Sequence, residues 1–330
     1  MKRFNEFFQD ILGQSSVVHT LVRALEKNKI SHSYIFAGPE GTQKETVAYC
    51  FAKALLSQEK PFEKTESKKI EDHNHPDLID LFPQGVSIKI DQIREIKKDI
   101  SVKPFASNYK IYILHQAHTM GAPAQNSFLK TLEEPPEYAV IILITNSLSA
   151  LLPTIRSRSQ ILQFQPIHRA LLEKYLLEKH GLSQNKAWEI SLIANGNIKR
   201  ALELVNDHGI LQERKEILKK LLKIIKGDIA LIFPTALWLK EKKDYLEEWL
   251  DFFMIWFRDV ALYQELGDNP YIIHREYKDW LEEFSFYLSY DQIHDIIKEI
   301  QQSKNDIKHN INLQLNMESM LLKMQNREDS

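Results

Sequence analysis

Short runs of residues that are apolar on both faces alternate, through the first half of the chain, with stretches whose apolar positions recur every three to four residues. Lys110–Leu114 (KIYIL) and Ala139–Thr145 (AVIILIT) carry the first pattern, Ser33–Ala37 is largely apolar, and Asp77–Phe82 and Gln160–Phe164 (QILQF) read as further strands. Such runs suit strands of a parallel sheet covered on both faces. Lys44–Ser57 and Ile90–Ile100 carry the second. In the latter, Ile90, Ile93, Ile96 and Ile100 share one side, and Asp91 sits where a helix N-terminus favours an acid. Strands alternating with helices predict a doubly wound α/β layer, a parallel sheet with helices on both faces.

After Pro166 the strand pattern stops. Arg169–Glu178, Asn185–Ile193 and Asn197–Val205 read as three short helices of a small helical unit. From about Leu211 the helices lengthen, over Leu211–Ile225, Tyr245–Gln264, Lys278–Tyr287 and Gln292–Gln302. A helical domain of ~120 residues can bury its own core. Trp238, Trp249, Trp256 and Trp280 fall in it, either as core or as an interface with another chain. Ser57–His75 is polar without a period and reads as an exposed loop, and Gln325–Ser330 as a frayed end. The expected domains are therefore 1–165, 166–207 and 208–330.

Composition narrows the classes. The chain has 330 residues, 43% hydrophobic and 27% charged, which excludes disorder for the bulk. Lysines and arginines number 43 against 45 acids, a net charge of −2. A dedicated nucleic-acid binder carries a basic excess, and here there is none. Cys50 is the one cysteine, so neither an internal disulfide nor a cysteine-based zinc site can form. The longest apolar runs, Ala139–Ile144 and Phe252–Phe257, fall far short of the ~20 residues that span a bilayer. The start, MKRFNEFFQD, lacks the apolar core of a secretion signal. The expected location is the cytoplasm.

The segment Gly38–Thr46, GPEGTQKET, follows an expected strand and opens an expected helix. That is the setting of a phosphate-binding loop, in which backbone N–H groups and a helix N-terminus cradle phosphates. The pattern G-x-x-x-x-G-K-[ST] is met at Gly38 and Lys44 but broken at Gln43, which replaces a glycine, and at Glu45, which replaces a hydroxyl. Gly41 lies between, and Thr46 brings a hydroxyl one residue late, rotated by ~100° on a helix. Gln43 adds bulk where the backbone closes on phosphate, and Glu45 sets a negative charge beside it. An ordinary strand–turn–helix is the alternative. A nucleotide hydrolase also needs a strand ending in acids that hold magnesium and orient water. Here Lys110–Leu114 ends in His115, Gln116, Ala117 and His118. Two imidazoles do not hold magnesium, which takes oxygen ligands, and His73 and His75 lie far off in sequence, so no metal site is expected.

Other segments resemble a known family. Gly121–Pro136, GAPAQNSFLKTLEEPP, looks like the N-x-x-L-K-x-L-E-E-P-P signature of AAA+ clamp-loader subunits, and Thr145–Phe164, TNSLSALLPTIRSRSQILQF, resembles the L-P-T-I-x-S-R-C-Q stretch that follows it. Gln9–Gln14 (QDILGQ) and His32-Ser33-Tyr34 belong to the same pattern. His75-Pro76-Asp77-Leu78, Ile88–Arg94 (IKIDQIR) and the closing segment Asn310–Lys323 resemble the delta-prime branch of the bacterial family. The resemblance implies an AAA+ α/β domain, a small helical lid and an all-α collar that joins subunits into a ring. It implies work in loading the sliding clamp on primed DNA, beside gamma/tau-type ATPase subunits and a delta subunit, with contact to the clamp and primer–template through the assembled complex.

By its match to S-R-C, Arg158 resembles an arginine finger supplied to ATP on a neighbouring subunit; Arg156 is the lesser candidate, and Ser159 stands where relatives have cysteine. Many relatives carry a four-cysteine zinc module ahead of the H-P-D-L element; with no cysteine after Cys50, its loss is expected here. Thr145 and Asn146 match the family's sensor and are expected to satisfy local hydrogen bonds; Lys199 and Arg200 are expected on a helix surface or interface, and Glu133-Glu134 at a helix end halted by Pro135-Pro136. The expectation is a subunit without intrinsic ATPase, binding neither ATP, magnesium nor zinc. The rivals are an active gamma/tau-like ATPase subunit and a stand-alone DNA-binding module.

Overall fold

The structure is a computed structural model and describes residues 2–57, 70, 74–206, 209–308 and 311–325. The strands β1 (Ser33–Ala37), β2 (Leu78–Leu81), β3 (Lys110–Leu114), β4 (Ala139–Thr145) and β5 (Gln160–Gln163) form one sheet in the order β2-β3-β4-β1-β5, every neighbouring pair parallel. Period-2 alternation divides their side chains between two cores. Tyr34, Phe36, Ile111, Ile113, Val140 and Ile142 pack with Leu21 and Leu25 of α1 (Ser15–Glu26) and with Val47, Phe51 and Leu55 of α2 (Lys44–Leu56). Ile35, Tyr112, Leu114, Ile141 and Leu143 pack with Ile93 and Ile96 of α3 (Ile90–Asp99) and with Phe128 and Leu132 of α4 (Ala122–Glu133). Each such side chain fully buried contributes about 1.5–3 kcal/mol. The α/β layer expected from the sequence is thus formed, with helices on both faces.

Because all strands run one way, the residues that follow β1, β3 and β4 gather at the carboxyl end of the sheet, where ligands of open α/β sheets bind. The chain divides into two compact units, Met1–Asn206 and Asp207–Ser330. Besides the sheet, the first contains α5 (Arg169–His180), α6 (Gln184–Ile193) and α7 (Ile198–Asn206).

The second unit holds the helices α8 (Ile210–Ile225), α9 (Ile232–Glu241), α10 (Leu246–Leu266), α11 (Lys278–Tyr287), α12 (Tyr290–Lys308) and α13 (Leu313–Lys323). Trp249 and Trp256 are buried, and Trp256 meets Phe284 edge-on at 5.3 Å, so these two tryptophans are core. Asp259, also buried, accepts from the backbone N–H groups of Ile273 and His274 and lies 2.9 Å from His274 Nδ1. It thereby ties the loop before α11 to α10. Asn312 caps α13, its side chain accepting from the N–H groups of Gln314 and Leu315. Ile229, in the turn ahead of α9, and Phe233 and Leu237 on α9 are exposed at a spacing of four residues, and Leu315 and Leu322 are exposed on α13. Among the described residues no helix is long and apolar enough to cross a membrane.

Candidate functional site

β1 delivers the chain into the loop Gly38–Gln43, and α2 begins at Lys44. Gly38 donates its N–H to the Thr145 carbonyl, and a Cβ on it would fall 2.4 Å from the Phe164 carbonyl oxygen, so only glycine fits between β4 and the end of β5. Gly41, at φ +71°, has its carbonyl hydrogen-bonded by the N–H of Ile198 at the start of α7. Thr42 closes the turn by donating to the Pro39 carbonyl at 2.8 Å.

Gln43 keeps the left-handed conformation, φ +66°, at a position where the phosphate-loop pattern has glycine. The strain of a side chain there is about 1–2 kcal/mol. Its amide offsets this by reaching away from the loop: Oε1 accepts from the Leu12 N–H at 2.7 Å, and Nε2 donates to the Asp10 carbonyl at 3.4 Å. Lys44 is buried. Its ammonium donates back to the carbonyls of Gly38 at 2.8 Å and Pro39 at 2.5 Å. Burial lowers its pKa, partly offset by the charges of Glu45 and Glu40. Glu45 and Thr46 are exposed on the first turn of α2.

At the end of β3, His115 is buried with Nε2 2.9 Å from Asp80 Oδ1 on the edge strand β2. The Tyr49 hydroxyl donates to the same Asp80 oxygen at 2.8 Å, and Phe82 stacks on the imidazole with centroids 4.1 Å apart. Burial, then Asp80, pushes the Tyr49 pKa upward. A carboxylate is therefore present beside the end of β3, though the strand itself brings none; it comes from a neighbouring strand 35 residues away, which local motif reading does not reach. Gln116 follows with φ +50°. His118 accepts from the Asn146 N–H at 3.3 Å, and burial followed by the Lys44 charge lowers its pKa. Thr145 Oγ1 donates to the Ser147 carbonyl and accepts from the Ser147 N–H, a local closure of the turn. Among the described residues no group of three His, Cys, Asp or Glu is placed to hold a metal ion. Ser57–His75, where the zinc module of relatives is expected to be lost, lies largely outside the described residues.

Arg158 lies just past the helical turn Pro153–Arg156. Its Nη2 meets Glu133 Oε1 at 2.7 Å, and its Nη1 donates to the Thr154 carbonyl at 3.0 Å. Ser159 anchors the same turn, Oγ donating to the Ile155 carbonyl and lying 2.7 Å from Ser33 Oγ on β1. Glu133 ends α4 ahead of the two prolines, as the sequence predicts; its pairing with Arg158 is not legible there. Gln125, also unforeseen, joins α4 to the approach to this turn, donating to the Met120 and Ala150 carbonyls and accepting from the Leu152 N–H. Lys199 lies exposed, 3.9 Å from Glu40. Arg200, expected on a helix surface or interface, is 8% exposed in this chain and pairs with Glu203 at 3.2 Å.

The H-P-D-L element also acquires a physical role. Asp77 is buried, and its carboxylate accepts from the N–H groups of Phe105, Ala106 and Ser107 and from the Ser107 hydroxyl. It folds the loop ahead of β3 around one charge.

A family model described as DNA polymerase III, delta subunit, matches residues 13–168, and one described as DNA polymerase III, delta subunit, C terminal, matches residues 208–326. The chain is 32% identical to DNA polymerase III subunit delta′ of Bacillus subtilis (strain 168) over 320 residues, covering 94% of this chain and 96% of that one. It is 33% identical to subunit tau of the same organism over 209 residues, 60% of this chain and 37% of that longer protein. A crystal structure of a DNA polymerase III gamma subunit-related protein from Thermotoga maritima aligns over 93% of this chain and 98% of its own, with 22% identity and a TM-score of 0.43.

Proposed function

The chain belongs to the delta-prime family of DNA polymerase III clamp-loader subunits, and from that membership we propose that it serves in the loader without hydrolysing ATP itself. The observation that carries this reading is the state of the loop. A phosphate loop works through N–H groups and a lysine turned toward an anion. Here the lysine ammonium is spent on two carbonyls of its own loop, and Gln43 is tied to the N-terminal segment. Asp80, beside the end of β3, is engaged by His115 and Tyr49 rather than turned out as an open oxygen ligand for magnesium. These residues do not fit a magnesium–triphosphate, and no step is derived through one on this chain.

The contribution to catalysis is then Arg158, offered to ATP held by a gamma/tau-type neighbour. Its partly exposed guanidinium and the anchoring of its turn through Ser159 and Gln125 support this role. In this reading residues 1–165 form the AAA+ body, 166–207 the lid and 208–330 the collar. The exposed Ile229, Phe233, Leu237, Leu315 and Leu322 supply apolar surface for the gamma/tau-type and delta subunits. The sliding clamp and primer–template are met through the assembled complex, in the cytoplasm, without zinc. Magnesium-dependent ATP hydrolysis by the isolated chain, measured with Lys44→Ala as control, tests the reading: no turnover above background is expected, and turnover abolished by Lys44→Ala would overturn it in favour of an active ATPase.

A further inference from the structure

Resting on the reading of Arg158 as a group supplied in trans, we propose that Glu133 is a positioning residue that latches Arg158 onto its own chain and competes with the neighbour's triphosphate for it. Both terminal nitrogens of the guanidinium are engaged within this chain: Nη2 by Glu133 Oε1 at 2.7 Å, Nη1 by the Thr154 carbonyl at 3.0 Å and the Ser157 hydroxyl at 3.4 Å. Those are the in-plane donors that the planar fork uses to grip a phosphate. Arg158 therefore cannot present both to a γ-phosphate while it stays folded back.

The latch is built to exchange. Glu133 is the last residue of α4, where the helix dipole already favours a cation, and Pro135-Pro136 stop the helix immediately beyond it. The two side chains are 35% and 46% exposed, so the pair is a surface ion pair, modest in strength and open to a competing anion. A γ-phosphate carries more charge than one carboxylate and takes the fork. When it leaves, the carboxylate recovers it. Glu133 thus ties the extended state of Arg158 to the presence of a triphosphate next door.

The test uses the complex reconstituted with gamma/tau-type and delta subunits, with ATPase rate followed against ATP concentration. E133Q, close in shape and without the charge, is expected to lower the half-saturating ATP concentration by about two- to fivefold, the range of a surface ion pair, with the rate at saturating ATP roughly unchanged. In an R158A background the same substitution is expected to do nothing, because the competition then has no object. If R158A slows turnover but E133Q leaves the ATP dependence alone, or weakens it, the latch is wrong while the finger stands. If R158A itself turns over like the parent complex, the finger reading fails and the latch falls with it.

Discussion

Asn197 Oδ1 occupies the space in which a side chain on Gly41 would begin: a Cβ there would lie 1.7 Å away. The same oxygen accepts from the Arg200 N–H at 3.0 Å, capping α7, while Ile198 donates to the Gly41 carbonyl. A glycine that the sequence assigns to a phosphate loop thus serves a close contact between that loop and α7. Gly41→Ala is expected to destabilise the chain by about 2–3 kcal/mol, adding left-handed strain to a disturbed cap. Urea denaturation measures it. The double variant with Asn197→Ala should relieve the clash but not the strain, and full additivity of the two single effects would deny the contact.

Lys44 gives the second prediction. Lys44→Ala leaves two inward-facing carbonyls without their cationic donor and should cost about 1.5–3 kcal/mol of stability. In the reconstituted complex the ATPase rate should stay at the parent level once the variant is folded. A rate loss on the scale of a catalytic lysine would place nucleotide on this loop.

Arg158 gives the third. A finger in trans is worth ~10³–10⁵ in rate at the site it serves. Arg158→Ala should leave the subunits co-eluting in gel filtration and suppress turnover at the one neighbouring site, and Arg158→Lys should rescue little, since a point charge lacks the fork. Loss of assembly in place of turnover would make Arg158 an interface residue only.

Asp77 gives the fourth. Asp77→Ala strips three N–H groups and a hydroxyl of their shared acceptor, for an expected loss of about 2–4 kcal/mol. Limited proteolysis should then open the chain near Phe105, which is exposed in the parent structure. An unchanged cleavage pattern would deny the clamp.

The fifth concerns pH. Tyr49 and Tyr112 have pKa values pushed above the ordinary 10.0 by burial first and by the carboxylates of Asp80 and Asp99 second. The folded chain keeps these protons where the unfolded chain releases them. Their contribution is therefore complete below pH 10 and is lost as pH rises beyond it. Lys44, lowered from 10.5, acts oppositely: its unfolded form holds the proton longer, so its share of stability rises with pH up to that value. Urea midpoints between about pH 8 and 11 should fall on the high side. Tyr112→Phe should flatten that fall.

The strands were legible because alternation and apolar runs record which positions must leave water, and β1, β3 and β4 lie where that record puts them. The long helices of the second unit were legible for the same reason. Ile232–Glu241 is passed over by the pattern reading: it is apolar nearly all round and contains Pro234, which blurs the helical period. In the loop, Gln43 and Glu45 already break the phosphate-loop pattern, since residue type at fixed spacing is local information.

What the chain's order alone determined is therefore the α/β layer, the helical remainder, the altered loop and the arginine at its turn. What only tertiary structure decided is who meets whom: Asp80 with His115, Asn197 against Gly41, Glu133 on Arg158. These partners are separated by between 25 and 156 residues in sequence (115 − 80, 158 − 133, 197 − 41), and no local period couples them. Burial drives the layers together first, and the charges and hydrogen bonds at their edge then take the partners that packing has placed within reach.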